Sequence, residues 1–193
     1  MNMSNLRNHT SEVLSDNWYT LYKHTYELQL RDGSWSRQVR EAYDRGNGAA
    51  ILLYNKERGT VLLTRQFRLP TYINGNPDGM MIEACAGLLD EDEPDECIRR
   101  ETEEETGYRI QEVEKVLEAY MSPGSVTEVL HLYLGEYHAS QKVSEGGGLA
   151  EEAEDIEVLE YSLDEALEMV KNGTIRDAKT IMLLQYARLH GVL

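Results

Sequence analysis

Residues 49–55, AAILLYN, are almost wholly apolar and lie between two clusters of turn formers, GNG at 46–48 and NKERG at 55–59. A short apolar run bounded in this way reads as a strand covered on both faces, with no side left for solvent. The chain must then build a layer of structure on each side of the sheet that holds it. At 193 residues it is long enough for one such domain and a modest extra lobe.

The flanking segments fill in this plan. VLLTRQF (61–67) pairs with the apolar run as a hairpin, and MMIEACA (80–86) adds a strand that ends at Gly87. Further strands are predicted around 113–120, 128–138 and 156–161. A helix is predicted from Pro94 to Thr106: proline suits the first helical position, Asp92 or Glu93 can cap it, and Gly107 suits the stop. Ser162 and Glu165 form a capping box for a helix that starts at Leu163, and residues 178–189 carry an apolar stripe at Ile181, Leu184 and Leu189. NGNPDG (74–79) reads as a turn-rich loop, and residues 139–155, with three consecutive glycines, as a mobile one.

Residues 1–45 read separately, as a small antiparallel β lobe: one strand at 18–30, a turn at Asp32-Gly33, and a returning strand over 34–45. A hairpin of this size does not stand alone, so it must lie against the rest of the chain or a partner subunit. The expected fold class is α/β, a mixed sheet with helices packed on it over residues 46–193, preceded by that lobe. No internal repeat or long linker interrupts it.

The charge is the unusual part of the composition. Lys plus Arg is 19 against 35 Asp plus Glu, a net −16, which argues against nucleic acid or an anionic membrane surface as a partner. No apolar run approaches a bilayer span and no signal peptide is visible, so the expected compartment is the cytoplasm. Cys85 and Cys97 have neither the number nor the spacing of a disulfide framework or zinc site and read as buried thiols. The acids are not spread evenly: residues 90–105 hold ten, and residues 145–157 hold six with no base between them.

On the predicted helix, Glu101 and Glu105 stand about 40° apart around the axis, and Glu104 lies about 60° to the other side of Glu101. Carboxylates crowded on one stripe repel each other, a cost that a hard divalent cation turns into binding. A solvated acidic helix face is the bland alternative. Arg100 is within reach of an ion pair with Glu104.

The segment GLLDEDEPDECIRRETEEETGY (87–108) resembles the Nudix box. Gly87, Glu93, Arg100, Glu101, Glu104, Glu105 and Gly107 occupy its fixed positions; one residue is missing between Glu93 and Arg100, and Thr102 stands where an apolar residue is usual. YDRGNGAAILLYN, RQFR, EACAGLLDEDEP, YMSPGSVTE and IRDAKT extend the resemblance to the nucleoside diphosphate sugar branch of the Nudix hydrolases, and within it most of all to the GDP-mannose pyrophosphatase family. Pro123, sixteen residues beyond Gly107, matches a proline of the ADP-ribose pyrophosphatases.

The resemblance implies an α/β/α sandwich, a domain-swapped homodimer and Mg²⁺- or Mn²⁺-dependent hydrolysis of a nucleotide sugar, GDP-mannose before ADP-ribose. By the same resemblance the metal ligands are Glu101, Glu105, Glu154 and the carbonyl of Ala86, with Glu151 and Glu152 as neighbours that can replace Glu154. Glu154, Glu105 and Arg100 are the catalytic candidates. Substrate contacts fall on Trp18, Arg40, Glu41, Arg68, Ala86, Gly87, Leu88, Glu105, Glu128, Glu154 and Lys179. Arg68 suits a phosphate clamp because guanidinium binds phosphate oxygens two at a time. Trp18 can stack on the base, and glycines 146–148 can hinge a closing loop. Two other readings remain open, a non-catalytic nucleotide-sugar sensor and a triphosphatase.

Overall fold

The computed structural model describes residues 5–89, 92–149, 151 and 154–193. It divides into two compact units, Met1–Asn47 with Tyr120–Val129, and Gly48–Ala119 with Leu130–Leu193.

The first unit is a three-stranded antiparallel sheet in the order β1 (Leu6–Asp16), β2 (Thr20–Gln29), β3 (Trp35–Asp44). The hairpin β2–β3 matches the lobe expected from sequence and turns at Asp32-Gly33, where Asp32 accepts from the Ser34 amide at 2.9 Å. Strand β1 is an addition. Its sequence, LRNHTSEVLSD, lacks alternation, and nearly every residue in it is exposed, so no hydrophobic pattern announced it. None of the described residues 5–47 is buried. The turn 122–125 joins this unit through Tyr43, which donates its amide to the Ser125 carbonyl at 2.8 Å.

The second unit is built on a seven-stranded mixed sheet with β4 (Gly48–Asn55) at its centre. Strand β4 is buried along almost its whole length, as the apolar run requires. It pairs in parallel with β9 (Val129–Glu136) and antiparallel with β5 (Thr60–Phe67). Strand β10 (Glu157–Ser162) closes one side on β5, and β8 (Glu114–Tyr120) lies outside β9.

The expected single strand 80–86 divides in two. Strand β6 (Met80–Glu83) pairs with β5 and β7 (Cys85–Leu88) pairs with β4, so the chain crosses from one neighbour to the other at Ala84. There the Ala84 amide leaves the ladder and donates to Thr180 Oγ1 at 2.6 Å.

Among the described residues, four α-helices and a 3₁₀ turn (Ala139–Gln141) pack on this sheet or extend its loops: α1 (Leu69–Ile73), α2 (Pro94–Thr106), α3 (Leu163–Lys171) and α4 (Ala178–Leu189). Helix α2 covers one face of the sheet, with Ile98 packed among Ala49, Ile51, Leu53 and Cys85. The intervening Ala50 and Leu52 point the other way along the strand and are equally buried, on the side where α4 meets β4. The capping box at Ser162–Glu165 forms as read from sequence. Helix α1 is an addition, lying just before the turn formers 74–79 that read as loop.

Candidate active site

Helix α2 carries the site. Pro94 opens it and Gly107 ends it in the left-handed conformation, φ 77°. Glu93 is the N-cap by position but its side chain makes no capping bond; Asp92 is bound instead to Arg100 at 3.4 Å. Thr102, the departure from an apolar position, is fully buried and donates its hydroxyl to the Ile98 carbonyl of its own helix at 2.6 Å. Its polar atom is satisfied locally, which is why it is tolerated there.

Glu101 and Glu105 share the buried stripe of α2, against β7. The Glu105 carboxylate is 2% exposed and accepts from the Ala86 amide at 3.3 Å. Burial pushes its pKa up to about 8, and the charges of Glu101 and Glu154 add to the rise, although the Cys85 thiol donates to it and opposes them. Burial likewise raises Glu101 to about 7; Arg100 opposes this, while Glu104 and Glu154 reinforce it. Gly87 is required for this packing, because a Cβ there would overlap the Glu101 carboxylate. Arg100 is the hub of the exposed side, 2.9 Å from Glu101 and 3.1 Å from Glu104.

Two carboxylates held close together at the cost of raised pKa values are a donor set for a hard divalent cation. Among the described residues no three acidic, thiol or imidazole groups already form a closed cage. Glu101 keeps 15% of its side chain exposed beside the buried Glu105, and a metal held there would complete its shell with substrate oxygens and water.

The glycine loop bears differently on the site from the free hinge expected. The Gly147 amide donates to the Glu105 carbonyl at 2.9 Å and the Gly148 amide to the Glu104 carbonyl at 3.1 Å, so the glycines cap the C-terminal end of α2. All three have positive φ, which a side chain would resist. Beyond them, Glu154 accepts from the Leu149 amide at 2.9 Å, and its charge is felt by both Glu101 and Glu105. Of the two alternatives, Glu151 is exposed and Glu152 lies outside the described residues.

A second charged cluster adjoins the first. Arg68 donates to Glu83 through Nε at 2.8 Å and Nη2 at 3.1 Å, and Lys179 donates to the same carboxylate at 2.6 Å. Lys179 is only 9% exposed, and a second acid, Asp177, lies 3.1 Å from it. It is therefore a committed partner rather than a free surface lysine. Burial alone would raise the Glu83 pKa, but Lys179 and Arg68 outweigh it and hold the group at about 2. Glu83 and Asp177 were missed from sequence; the available signal was a lone acid inside the apolar strand MMIEACA, which demands a partner. Leu88 contributes its carbonyl, which accepts from the Cys97 thiol at 3.1 Å. Both thiols are buried, as expected.

The remaining candidates belong to the first unit. Trp18 is 86% exposed, edge-on to Tyr19. Arg40 and Glu41 are adjacent on β3, hence on opposite faces, and both are exposed. Glu128 is largely covered and faces Arg45 at 3.7 Å.

Residues 44–184 match the NUDIX domain family, and residues 5–43 match the family described as the GDP-mannose pyrophosphatase NudK N-terminal domain. The chain belongs to the Nudix hydrolase family. It is 58% identical to a GDP-mannose pyrophosphatase of Yersinia enterocolitica, over 97% of each chain. It is 57% identical to one of Cronobacter sakazakii over 94% of each, and 55% identical to one of Yersinia pestis over 96% of this chain and 92% of that one. As a Nudix hydrolase it is an enzyme acting on acid anhydrides, and the carboxylate pair on α2 is the part of it suited to a divalent metal. No helix among the described residues is long and apolar enough to cross a membrane.

Proposed function

We propose that this hydrolase cleaves the diphosphate of GDP-mannose, adding water across the anhydride to give GMP and mannose 1-phosphate, with Mg²⁺ as the metal. The similarity to GDP-mannose pyrophosphatases along nearly the full chain, N-terminal unit included, carries the reading. When bound, the divalent cation supplies neutralisation of the diphosphate oxygens and acidification of water.

The side chains divide the remaining work. Glu101 and Glu105, with the carbonyl of Ala86, hold the metal, and Arg100 keeps Glu101 oriented. Glu154 accepts the proton of the attacking water, which its place beside both carboxylates supports. Arg68 binds phosphate oxygens. Residues 1–45 form a lobe for dimerisation, exchanged between subunits, that brings Trp18, Arg40 and Glu41 to the nucleotide, while residues 46–193 form the hydrolase domain. Two buried cysteines, Cys85 and Cys97, with no disulfide between them support a cytoplasmic setting.

The test is a panel of nucleotide sugars with and without Mg²⁺. GDP-mannose is expected to have the highest kcat/KM, and turnover is expected to vanish with chelator. A preference of about tenfold or more for ADP-ribose, some 1.4 kcal/mol in transition-state binding, overturns the substrate assignment.

A further inference from the structure

We propose that Glu83 is a positioning residue for substrate binding, whose carboxylate grips Arg68 side-on and so aims the outer edge of that guanidinium at the diphosphate. The proposal rests on the hydrolase reading above and deepens it.

Glu83 sits at the end of β6, one residue before the crossing at Ala84, and is 4% exposed. Both of its oxygens are in use: Oε1 accepts from Arg68 Nε at 2.8 Å, and Oε2 accepts from Arg68 Nη2 at 3.1 Å and from Lys179 Nζ at 2.6 Å. Tying β6 to α4 needs only one cation, and Lys179 provides it from inside the fold. The Arg68 side chain is 41% exposed and does not depend on Glu83 for cover. What the two-point grip adds is direction: with Nε and one Nη engaged, a planar guanidinium cannot rotate, and its terminal edge faces away from the carboxylate. Arg68 lies close enough to Glu105 for that charge to help keep it protonated, which puts the guanidinium near the carboxylate pair. A pre-aimed arginine binds phosphate without first losing side-chain freedom, which lowers KM rather than raising kcat.

The experiment is steady-state kinetics of Glu83→Gln, Arg68→Ala and the double variant. Glu83→Gln is expected to raise KM about tenfold or more while kcat changes less than about threefold. In the Arg68→Ala background it is expected to add less than about twofold, because its effect passes through Arg68. A KM within twofold of the parent enzyme, or a full effect persisting without Arg68, overturns the proposal; a purely structural role lowers the active fraction and leaves KM alone. If Glu83→Gln does not fold by circular dichroism, Glu83→Asp keeps the charge but withdraws the carboxylate by a methylene. The same rise in KM is expected there, and an unchanged KM again overturns the idea. Failure of the parent enzyme to cleave GDP-mannose refutes the substrate reading instead. The variants are then compared by their calorimetric Kd for GDP-mannose, with a tenfold weakening expected and no weakening overturning the proposal.

Discussion

Single carboxylates in this protein are set against each other by their surroundings. Glu105 and Glu101, at about 8 and 7, bind protons more tightly in the fold than in the unfolded chain, whose reference is 4.5. The metal-free protein therefore loses stability as pH rises from about 4.5 to 8, because ionising these groups is costlier folded than unfolded. Thermal unfolding should show Mg²⁺ raising Tm more at pH 8 than at pH 5.5, and in chelator Tm should fall over the same interval. Glu83 has the opposite sign. Held at about 2, its contribution is whole above pH 4.5 and is lost as pH drops towards 2. Glu105→Gln should cut kcat by about 100-fold or more, yet raise the Tm of the metal-free protein at pH 8, since it removes a buried charge that repels its neighbours. An unchanged kcat would show that Glu105 does not hold the metal, and a fall in Tm at pH 8 that it supports the fold.

Among the elements, α2 and the crossing strand β6–β7 do most to place the chemistry. Gly87 is the contact point between them, and Gly87→Ala should cost activity well beyond its cost in Tm, because the added Cβ displaces the Glu101 carboxylate. Gly107→Ala should do the reverse of this in proportion. It forces an alanine to φ 77° against the Ser144 carbonyl, at a cost of about 1–3 kcal/mol visible in denaturant unfolding. Ser162→Ala removes the α3 capping box and should cost about 1 kcal/mol while leaving KM unchanged.

At the scale of the whole molecule, the first unit is a sheet of three long strands without a buried residue among those described. Leu6, Val13, Leu14 and Val39 are each at least 40% exposed. Such a sheet needs apolar cover from outside itself. Light scattering at micromolar concentration should therefore give the mass of a dimer, and Tm should rise with protein concentration. A monomer with concentration-independent Tm would remove the exchanged lobe and the cross-subunit contacts of Trp18, Arg40 and Glu41.

The order of most elements, the double-sided burial of β4, the limits of α2 and the placing of two carboxylates on its stripe were legible in the linear chain. Periodicity, caps and breakers are local, and local rules act through neighbours in sequence. The strand β1, the break at Ala84, the capping of α2 by Gly147 and Gly148, and the joining of Arg68 to Lys179 through Glu83 were not. Strand β1 pairs with its neighbour β2 but carries no hydrophobic pattern, and the others depend on partners farther along the chain: Ala84 bonds Thr180, and Glu83 bonds Lys179 across 96 residues. The segment 139–155 shows the difference most plainly. Composition made it a flexible loop, but three glycines that accept positive φ can also dock backbone against backbone, and only the nearness of the α2 carbonyls selected that outcome.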